Sequence, residues 1–163
     1  MRLKDGVIAR GFLQKNGGRN KLYLWDTQIV GHFGGRHPVL TLHIQHVGKE
    51  RIVLPSPTVA ELLRGRTEFA LKATPEQAVT AHFQLRQTQL LIAQFDMFLF
   101  SEEDAEVFRK VLKKFKSKKR YVDLMIAAMA LAGNHIVVTR NTRHFNDVLP
   151  PHLIENWIDY PPQ

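Results

Sequence analysis

Residues 122–145, VDLMIAAMALAGNHIVVTRNTRHF, contain an apolar helix followed by an apolar strand. The helix is predicted to start at Asp123 and to end near Gly133, since glycine commonly terminates helices. A strand is predicted over residues 135–139, and the polar Asn141 comes soon after it. An apolar helix that leads into a short buried strand is typical of α/β folds with a parallel sheet.

The rest of the chain repeats this alternation of short apolar strands and longer helices. Further strands are predicted over residues 22–25, 52–54, 97–100 and 153–157. Helices are predicted over residues 58–71, 75–93 and 102–116. Residues 28–48 are predicted to be mostly helical, with a break near Gly34. The pattern therefore predicts an α/β fold with a mostly parallel sheet of four or five strands. Residues 21–163 form one domain in this interpretation, and residues 1–20 form an N-terminal extension or a weakly ordered arm.

Length and composition limit the class of protein. A chain of 163 residues with 44% hydrophobic and 23% charged residues suits one globular domain. The longest apolar stretch, residues 124–133, is much shorter than the roughly 18 residues of a membrane span. No sustained apolar run follows the N-terminus, so no signal peptide is predicted and the cytoplasm is the expected location. The absence of cysteine excludes disulfides, thiolate zinc sites and a cysteine nucleophile.

The net charge of +8 comes from one segment, residues 109–120. This basic run, RKVLKKFKSKKR, holds eight cations and no acid, and the remaining 15 of the 23 cations balance the 15 acids. Its cations are Arg109, Lys110, Lys113, Lys114, Lys116, Lys118, Lys119 and Arg120. A concentrated positive charge attracts a polyanion and speeds its arrival, which favours a nucleic-acid surface.

A solvated helix end is the alternative interpretation of the basic run. Ser101 can cap the helix, acids occupy its first turn and cations its far end, an order that complements the helix dipole without any ligand. Dipole matching accounts for one or two cations, however, and not for eight.

Four polar residues are predicted to lie at one edge of the sheet. Asp26 ends the first strand, Glu61 lies in the opening turn of the helix after the second, Asp123 starts the apolar helix, and Asn141 follows the fourth strand. In a parallel α/β sheet the carboxyl ends of strands and the amino ends of helices share one edge, where ligands bind. Three carboxylates in a partly buried cleft repel one another, and a divalent cation relieves that repulsion. Ligation by oxygen alone suits Mg²⁺ or Mn²⁺ better than zinc.

Each acid also has a purely structural interpretation. Thr58 and Glu61 match a capping box in which Glu61 returns to the Thr58 amide. Asp123 is a candidate N-cap, and Asp26 a candidate turn residue. His144 can either contact a phosphate or pack under its loop. The joint placement of three acids at one edge favours the metal site over three separate structural roles.

Three segments together resemble the successive signatures of PIN-domain ribonucleases, and especially VapC-type toxins of toxin–antitoxin systems. They are LYLWDTQIV (residues 22–30), LPSPTVAELLRG (residues 54–65) and residues 122–145, of which the last is the most specific. The similarity runs in order and spacing over about residues 22 to 158. It implies a three-layer α/β/α sandwich, Mg²⁺- or Mn²⁺-dependent cleavage of RNA, inhibition by a cognate antitoxin, and a homodimer.

The resemblance also implies roles for single residues. Asp26, Glu61 and Asp123 match the acidic triad of the family, and Asn141 stands where many members have a fourth acid. In this interpretation Asp26 and Asp123 bind the metal directly and Glu61 binds it directly or through water. Asn141 and Thr27 then orient ligands or water. The residues expected to bind the RNA backbone are Lys113, Lys114, Lys116, Lys118, Lys119, Arg120, Arg140 and Arg143.

Two positions depart from the family pattern and leave room for other functions. Gln28 stands where the family usually has asparagine, and the neutral Asn141 would hold a second metal weakly. The main alternative is a PIN-fold protein that binds nucleic acid or regulates without useful catalysis. A DNase, or a nuclease of RNA maturation on the same fold, would use the same residues.

Overall fold

The computed structural model describes residues 2–3, 7–8, 21–115 and 120–163. Seven strands in this part of the chain form one sheet. The strands are β1 (Arg2–Leu3), β2 (Val7–Ile8), β3 (Tyr23–Trp25), β4 (Ile52–Pro55), β5 (Asp96–Phe98), β6 (Ile136–Val138) and β7 (Ile154–Glu155). The α-helices are α1 (Thr27–Gly34), α2 (Pro38–Val47), α3 (Ser56–Lys72), α4 (Pro75–Ile92), α5 (Glu102–Lys114) and α6 (Tyr121–Gly133). Short 3₁₀ turns cover Lys49–Arg51, Thr142–His144 and Pro151–Leu153.

The sheet has the strand order β1-β2-β5-β4-β3-β6-β7. β1 is antiparallel to β2, and every other neighbouring pair is parallel. From β3 the chain proceeds through β4 to β5 on one side and then returns through β6 to the other side of β3. The strand order therefore reverses at β3, and ligands of open α/β sheets bind at the carboxyl edge of such a reversal.

Two apolar clusters cover the two faces of the sheet. Successive residues of β3 point to opposite faces, so that Trp25 joins the cluster with α1, α2 and α3, while Leu24 joins the cluster with α6. Helix α5 then packs on α6 through Phe108 and Leu124. The predicted α/β/α sandwich with a mostly parallel sheet is thus confirmed.

Two helices begin two residues earlier than predicted. α3 begins at Ser56 instead of Thr58, with Pro57 in its first turn, where proline is tolerated because its missing N–H has no helical partner. α6 begins at Tyr121, two residues before Asp123. The predicted strands over residues 97–100 and 153–157 are shorter in the structure, at β5 and β7.

Part of the N-terminal extension joins the sheet. β1 and β2 pair with each other, and β2 continues the sheet in parallel beside β5. The strand count therefore exceeds the predicted four or five, which correspond to β3–β7. Within the described residues, no helix has the length and apolar character needed to cross a membrane.

Candidate metal centre

Asp26 is held by two elements at the carboxyl edge of the sheet. It follows β3 directly, caps α1, and is 6% exposed. Its Oδ1 accepts a hydrogen bond from the amide of Thr27 at 2.6 Å, and its Oδ2 accepts one from the buried hydroxyl of Thr139 at 2.8 Å. The same hydroxyl accepts a hydrogen bond from the amide of Asn141 at 3.0 Å. The backbone N–H of Asn141 is therefore linked to the Asp26 carboxylate through a threonine that the sequence did not single out.

Glu61 is tied to the start of α1 and not to its own helix. The hydroxyl of Thr27 donates to Glu61 Oε2 at 2.5 Å. The capping-box interpretation is wrong, because Pro55 precedes α3 and no side chain caps it. The hydroxyl of Thr58 is buried and donates to the carbonyl of Trp25 at 3.0 Å, which fastens α3 to β3.

Asp123 lies in the first turn of α6, and Arg120 occupies the N-cap position. The N-cap interpretation of Asp123 is therefore wrong, because the helix has already started. Asp123 Oδ2 lies 2.8 Å from Nδ1 of His144, and the side chain of Asp123 is 20% exposed. His144 thus neither packs under its loop nor stands free, since it holds a candidate metal ligand.

Burial and neighbouring negative charge disfavour the ionised forms of Asp26 and Asp123. Burial raises the pKa of Asp26, and repulsion from Asp123 and Glu61 adds to the rise. Burial also raises the pKa of Asp123, repulsion from Glu61 adds to it, and the hydrogen bond from His144 opposes it. The three carboxylates are therefore close enough to interact through space at this edge of the sheet.

The acids do not, however, converge on a single point. In residues 21–115 and 120–163, no three His, Asp or Glu side chains are close enough together to hold a metal ion between them. Each carboxylate is held instead by its own donor: Thr139 and the Thr27 amide, the Thr27 hydroxyl, or His144. The ligand roles of Asp26, Glu61 and Asp123 therefore stay a prediction.

The chemistry of these residues nevertheless fits a hard divalent cation. The donor set consists of carboxylate oxygens, which Mg²⁺ and Mn²⁺ prefer. The raised pKa values of Asp26 and Asp123 record a cost of negative charge in this place, and a cation would remove that cost.

The predicted RNA-binding cations fall into three groups. Lys113 and Lys114 are exposed in the last turn of α5, and Arg143 is exposed after β6. Arg120 and Arg140 are paired with acids, as described below, and Lys116, Lys118 and Lys119 lie outside the described residues.

Arg120 contacts the loop beside the site, and its predicted role in RNA binding stays a prediction. Its guanidinium contacts both oxygens of Asp147, at 2.8 and 3.0 Å, and donates to the carbonyl of His144. This fixes the loop that presents His144 to Asp123. Arg140 forms an ion pair with Asp159 at 3.2 Å.

Comparison with known proteins identifies the family and the fold. The PIN domain family matches residues 23–148, so the chain belongs to the PIN domain family. No curated protein matches the chain.

Several solved structures share the fold. DNA-bound VapBC from Salmonella typhimurium is 20% identical with a TM-score of 0.65, over 84% of this chain and 98% of that one. FitAcB from Neisseria gonorrhoeae is 24% identical with a TM-score of 0.60, over 85% and 100%. A toxin–antitoxin complex from Klebsiella pneumoniae is 18% identical with a TM-score of 0.60, over 86% and 99%. At these identities the similarity concerns the fold.

Proposed function

We propose that this chain is a metal-dependent endoribonuclease and the toxin of a type II toxin–antitoxin pair. One observation carries the proposal: in a PIN-domain chain, Asp26, Glu61 and Asp123 lie near one another at the carboxyl edge of the sheet, where burial, with a smaller contribution from the neighbouring acids, raises the pKa values of Asp26 and Asp123. A site that disfavours the ionised form of its own carboxyl groups is suited to binding a cation, because the cation offsets their negative charge.

Asp26 and Asp123 would bind Mg²⁺ or Mn²⁺ directly, and Glu61 directly or through water. When bound, the ion supplies Lewis acidity toward a phosphoryl oxygen and lowers the pKa of a bound water. The chain's own residues do the positioning. Thr139 orients Asp26, Thr27 orients Glu61, and His144 orients Asp123.

The exposed cations Lys113, Lys114 and Arg143 would bind the RNA backbone. Lys113 and Lys114 lie at the end of α5, which packs on the helix that carries Asp123. Arg143 follows β6 in the chain, two residues after Asn141. Phosphate contacts of this kind position the strand without reading its sequence.

The deciding experiment is RNA cleavage with and without a divalent cation. We expect cleavage in Mg²⁺ or Mn²⁺, none in EDTA, and recovery when the ion is restored. Glu61→Gln should lower the rate, and the matched variant Glu76→Gln, at an exposed glutamate in α4, should not. Undiminished cleavage in EDTA would exclude the metal mechanism.

A PIN-fold protein that binds RNA without efficient catalysis is the second candidate. The spacing of the carboxylates favours it, because they do not form a ready cation site among the described residues. RNA binding with no turnover in either metal, at any enzyme concentration, would decide for this candidate.

The proposed protein partners are a cognate antitoxin and a second copy of the chain. Support comes from the fold neighbour described as a toxin–antitoxin complex. It also comes from exposed apolar side chains on the α3–α4 hairpin, including Leu71, Val79 and Phe83, since such surfaces commonly mark interaction sites. Light scattering after size exclusion measures the mass of the particle, and a monomer at all concentrations would exclude the homodimer.

A further inference from the structure

A cavity of about 460 Å³ lies between α2, the edge strand β7 and the C-terminal residues. Its wall includes Tyr23 of β3, His46 of α2, Glu155 of β7, and Tyr160. Pockets that enclose small ligands have volumes of roughly 300–1,000 Å³ and combine aromatic walls with a few polar groups. None of these wall residues belongs to the acidic centre, which consists of Asp26, Glu61 and Asp123.

The cavity lies beside the acidic centre, in the direction across the strands of the sheet. Trp25 of β3 pairs with Val138 of β6, and Val138 pairs with Glu155 of β7. Two strand spacings therefore separate Glu155 from the residue that precedes Asp26, about 10 Å. A single strand of RNA that reaches Asp26 can place a nearby nucleotide in the cavity.

The polar groups of the wall are held in place. The indole Nε1 of Trp157 donates to Glu155 Oε2 at 2.6 Å, which fixes the carboxylate. His43 stacks on Trp157 with ring centroids 4.9 Å apart and planes 4° apart. Nε2 of His43 also donates to the carbonyl of Tyr160 at 2.8 Å, which anchors the C-terminal segment. The cavity is therefore largely formed before a ligand arrives.

The exposed rings and the carboxylate suit a nucleobase. Tyr160 is 67% exposed and His46 is exposed, so both offer flat surfaces at the rim. Single-stranded RNA is recognised by stacking on such rings and by hydrogen bonds to the edges of unpaired bases. The Watson–Crick edge of guanine presents two adjacent donors, N1–H and N2–H, which match the two oxygens of a carboxylate. Adenine and cytosine present one donor beside an acceptor.

We propose that this cavity binds an unpaired guanine of the RNA substrate, stacked against Tyr160 and His46 and hydrogen bonded to Glu155. The inference rests on the proposed function, since it assigns part of the substrate preference of that nuclease. It adds base recognition to a site whose other predicted contacts are with phosphates.

A cation near the cavity can interact with the phosphates that flank a bound base. The guanidinium of Arg51 lies 5.0 Å from the ring centroid of Tyr23 and donates to the carbonyl of Lys21 at 3.1 Å. The phosphates that flank a base would be attracted to this cation.

The test measures RNA binding in EDTA by fluorescence anisotropy, so that metal-dependent cleavage does not contribute. The probes are labelled oligouridines that carry one central guanine, inosine or adenine. We expect the guanine probe to bind about tenfold more tightly than the adenine probe, as is typical of a paired contact to one base. Inosine, which lacks the N2 amino group, should fall between them.

Two variants assign the preference to the cavity. Glu155→Gln keeps an acceptor for the indole of Trp157 but replaces one carboxylate oxygen by a donor, so the guanine preference should disappear. The matched variant Glu76→Gln should keep it. Tyr160→Ala should weaken binding of all three probes by about fivefold or more, because a stacking surface is lost.

Equal affinity of wild-type protein for the three probes would overturn the proposal. A guanine preference that survives Glu155→Gln would also overturn it. The same holds if guanosine monophosphate displaces the guanine probe as effectively as the unlabelled guanine oligomer does. It also holds if an arginine-rich peptide binds and only Glu155→Gln weakens that binding. Since no cleavage is needed, a guanine preference without turnover would refute the nuclease alone. Metal-dependent turnover without a base preference would refute this inference alone.

Discussion

The acidic centre and the basic run are the two charged regions of this molecule, and they are built in opposite ways. The acids come from β3, α3 and α6, and each is fixed by a hydrogen bond from another segment. The cations of the basic run are contiguous in sequence, and the described ones on α5 are exposed. The comparison suggests that the acidic centre positions the reacting groups and that the basic run attracts RNA from a distance. Changes in the first should affect the rate of reaction, and changes in the second the affinity for RNA.

The largest expected effect follows from neutralising an acid. Asp26→Asn and Asp123→Asn should each lower the rate of RNA cleavage at saturating substrate by at least about a hundredfold, because a bound metal stabilises the transition state by several kcal/mol. RNA affinity in EDTA should stay the same or rise. Full activity in either variant, with folding verified by circular dichroism, would remove the acidic centre from the mechanism.

The negative charge of Asp26 should destabilise the metal-free protein. A carboxylate whose pKa is raised by folding contributes stability below its unfolded pKa, and that stability is lost as the pH rises through the folded pKa. The pKa of Asp26 is raised, so Asp26→Asn should increase the melting temperature in EDTA at neutral pH. A gain of about 1 kcal/mol corresponds to about 2–4 °C.

The same melting-temperature measurement is then repeated with Mg²⁺ added. It should raise the melting temperature of the wild-type protein at neutral pH and have little effect on Asp26→Asn. The wild-type gain should shrink at acid pH, where the carboxylates are protonated. An equal gain in both proteins would place the ion elsewhere.

The basic run should respond through binding. Replacing Lys113 and Lys114, together with Lys116 and Lys118, by glutamine should weaken RNA binding and flatten its dependence on salt. Each lost phosphate contact should lower the slope of log affinity against log salt by about 0.7 for a single strand. A short substrate at saturating concentration should still be cleaved. An unchanged slope would show that these lysines face away from the RNA.

The smallest effect is expected at Arg120, which belongs to the basic run by sequence and to the acidic centre by contact. Arg120→Gln should leave the salt slope of RNA binding unchanged, in contrast to the lysine variants. It should lower stability by about 0.5–1 kcal/mol, because the pair with Asp147 is partly exposed.

The pH dependence of the Arg120 variant provides a check. Arg120 lowers the pKa of Asp147, so the contribution of the pair is present above the unfolded pKa of that carboxyl and is lost as the pH falls through the folded one. The wild-type and variant proteins should therefore differ at neutral pH and converge in acid. A reduced salt slope in Arg120→Gln would return this residue to the RNA surface.

The fold was predictable because it depends on patterns that recur along the chain. Alternating apolar strands and helices predicted β3–β7 and the helices between them. The errors lie at boundaries, as at Ser56, where a proline in the first turn does not prevent an earlier helix start. The pairing of β2 beside β5 had no sequence signal beyond a short apolar run.

The site was predictable only in part, since its acids sit at strand and helix ends that the pattern locates. The donors that hold them were not foreseen. Thr139 is 113 residues from Asp26, and Arg120 is 27 residues from Asp147. Such contacts depend on how elements pack, and charge alone did not indicate that Arg120 pairs with Asp147.

The central claim is that Asp26, Glu61 and Asp123 form one divalent-cation site, and a Mn²⁺ titration tests it most directly. Calorimetry or electron paramagnetic resonance of the full chain counts the ions that bind and measures their affinity without any substrate. We expect one strong site per chain, lost in Asp26→Asn and in Asp123→Asn and retained in Glu76→Gln. Equal Mn²⁺ binding by the wild-type protein and both aspartate variants would contradict the claim.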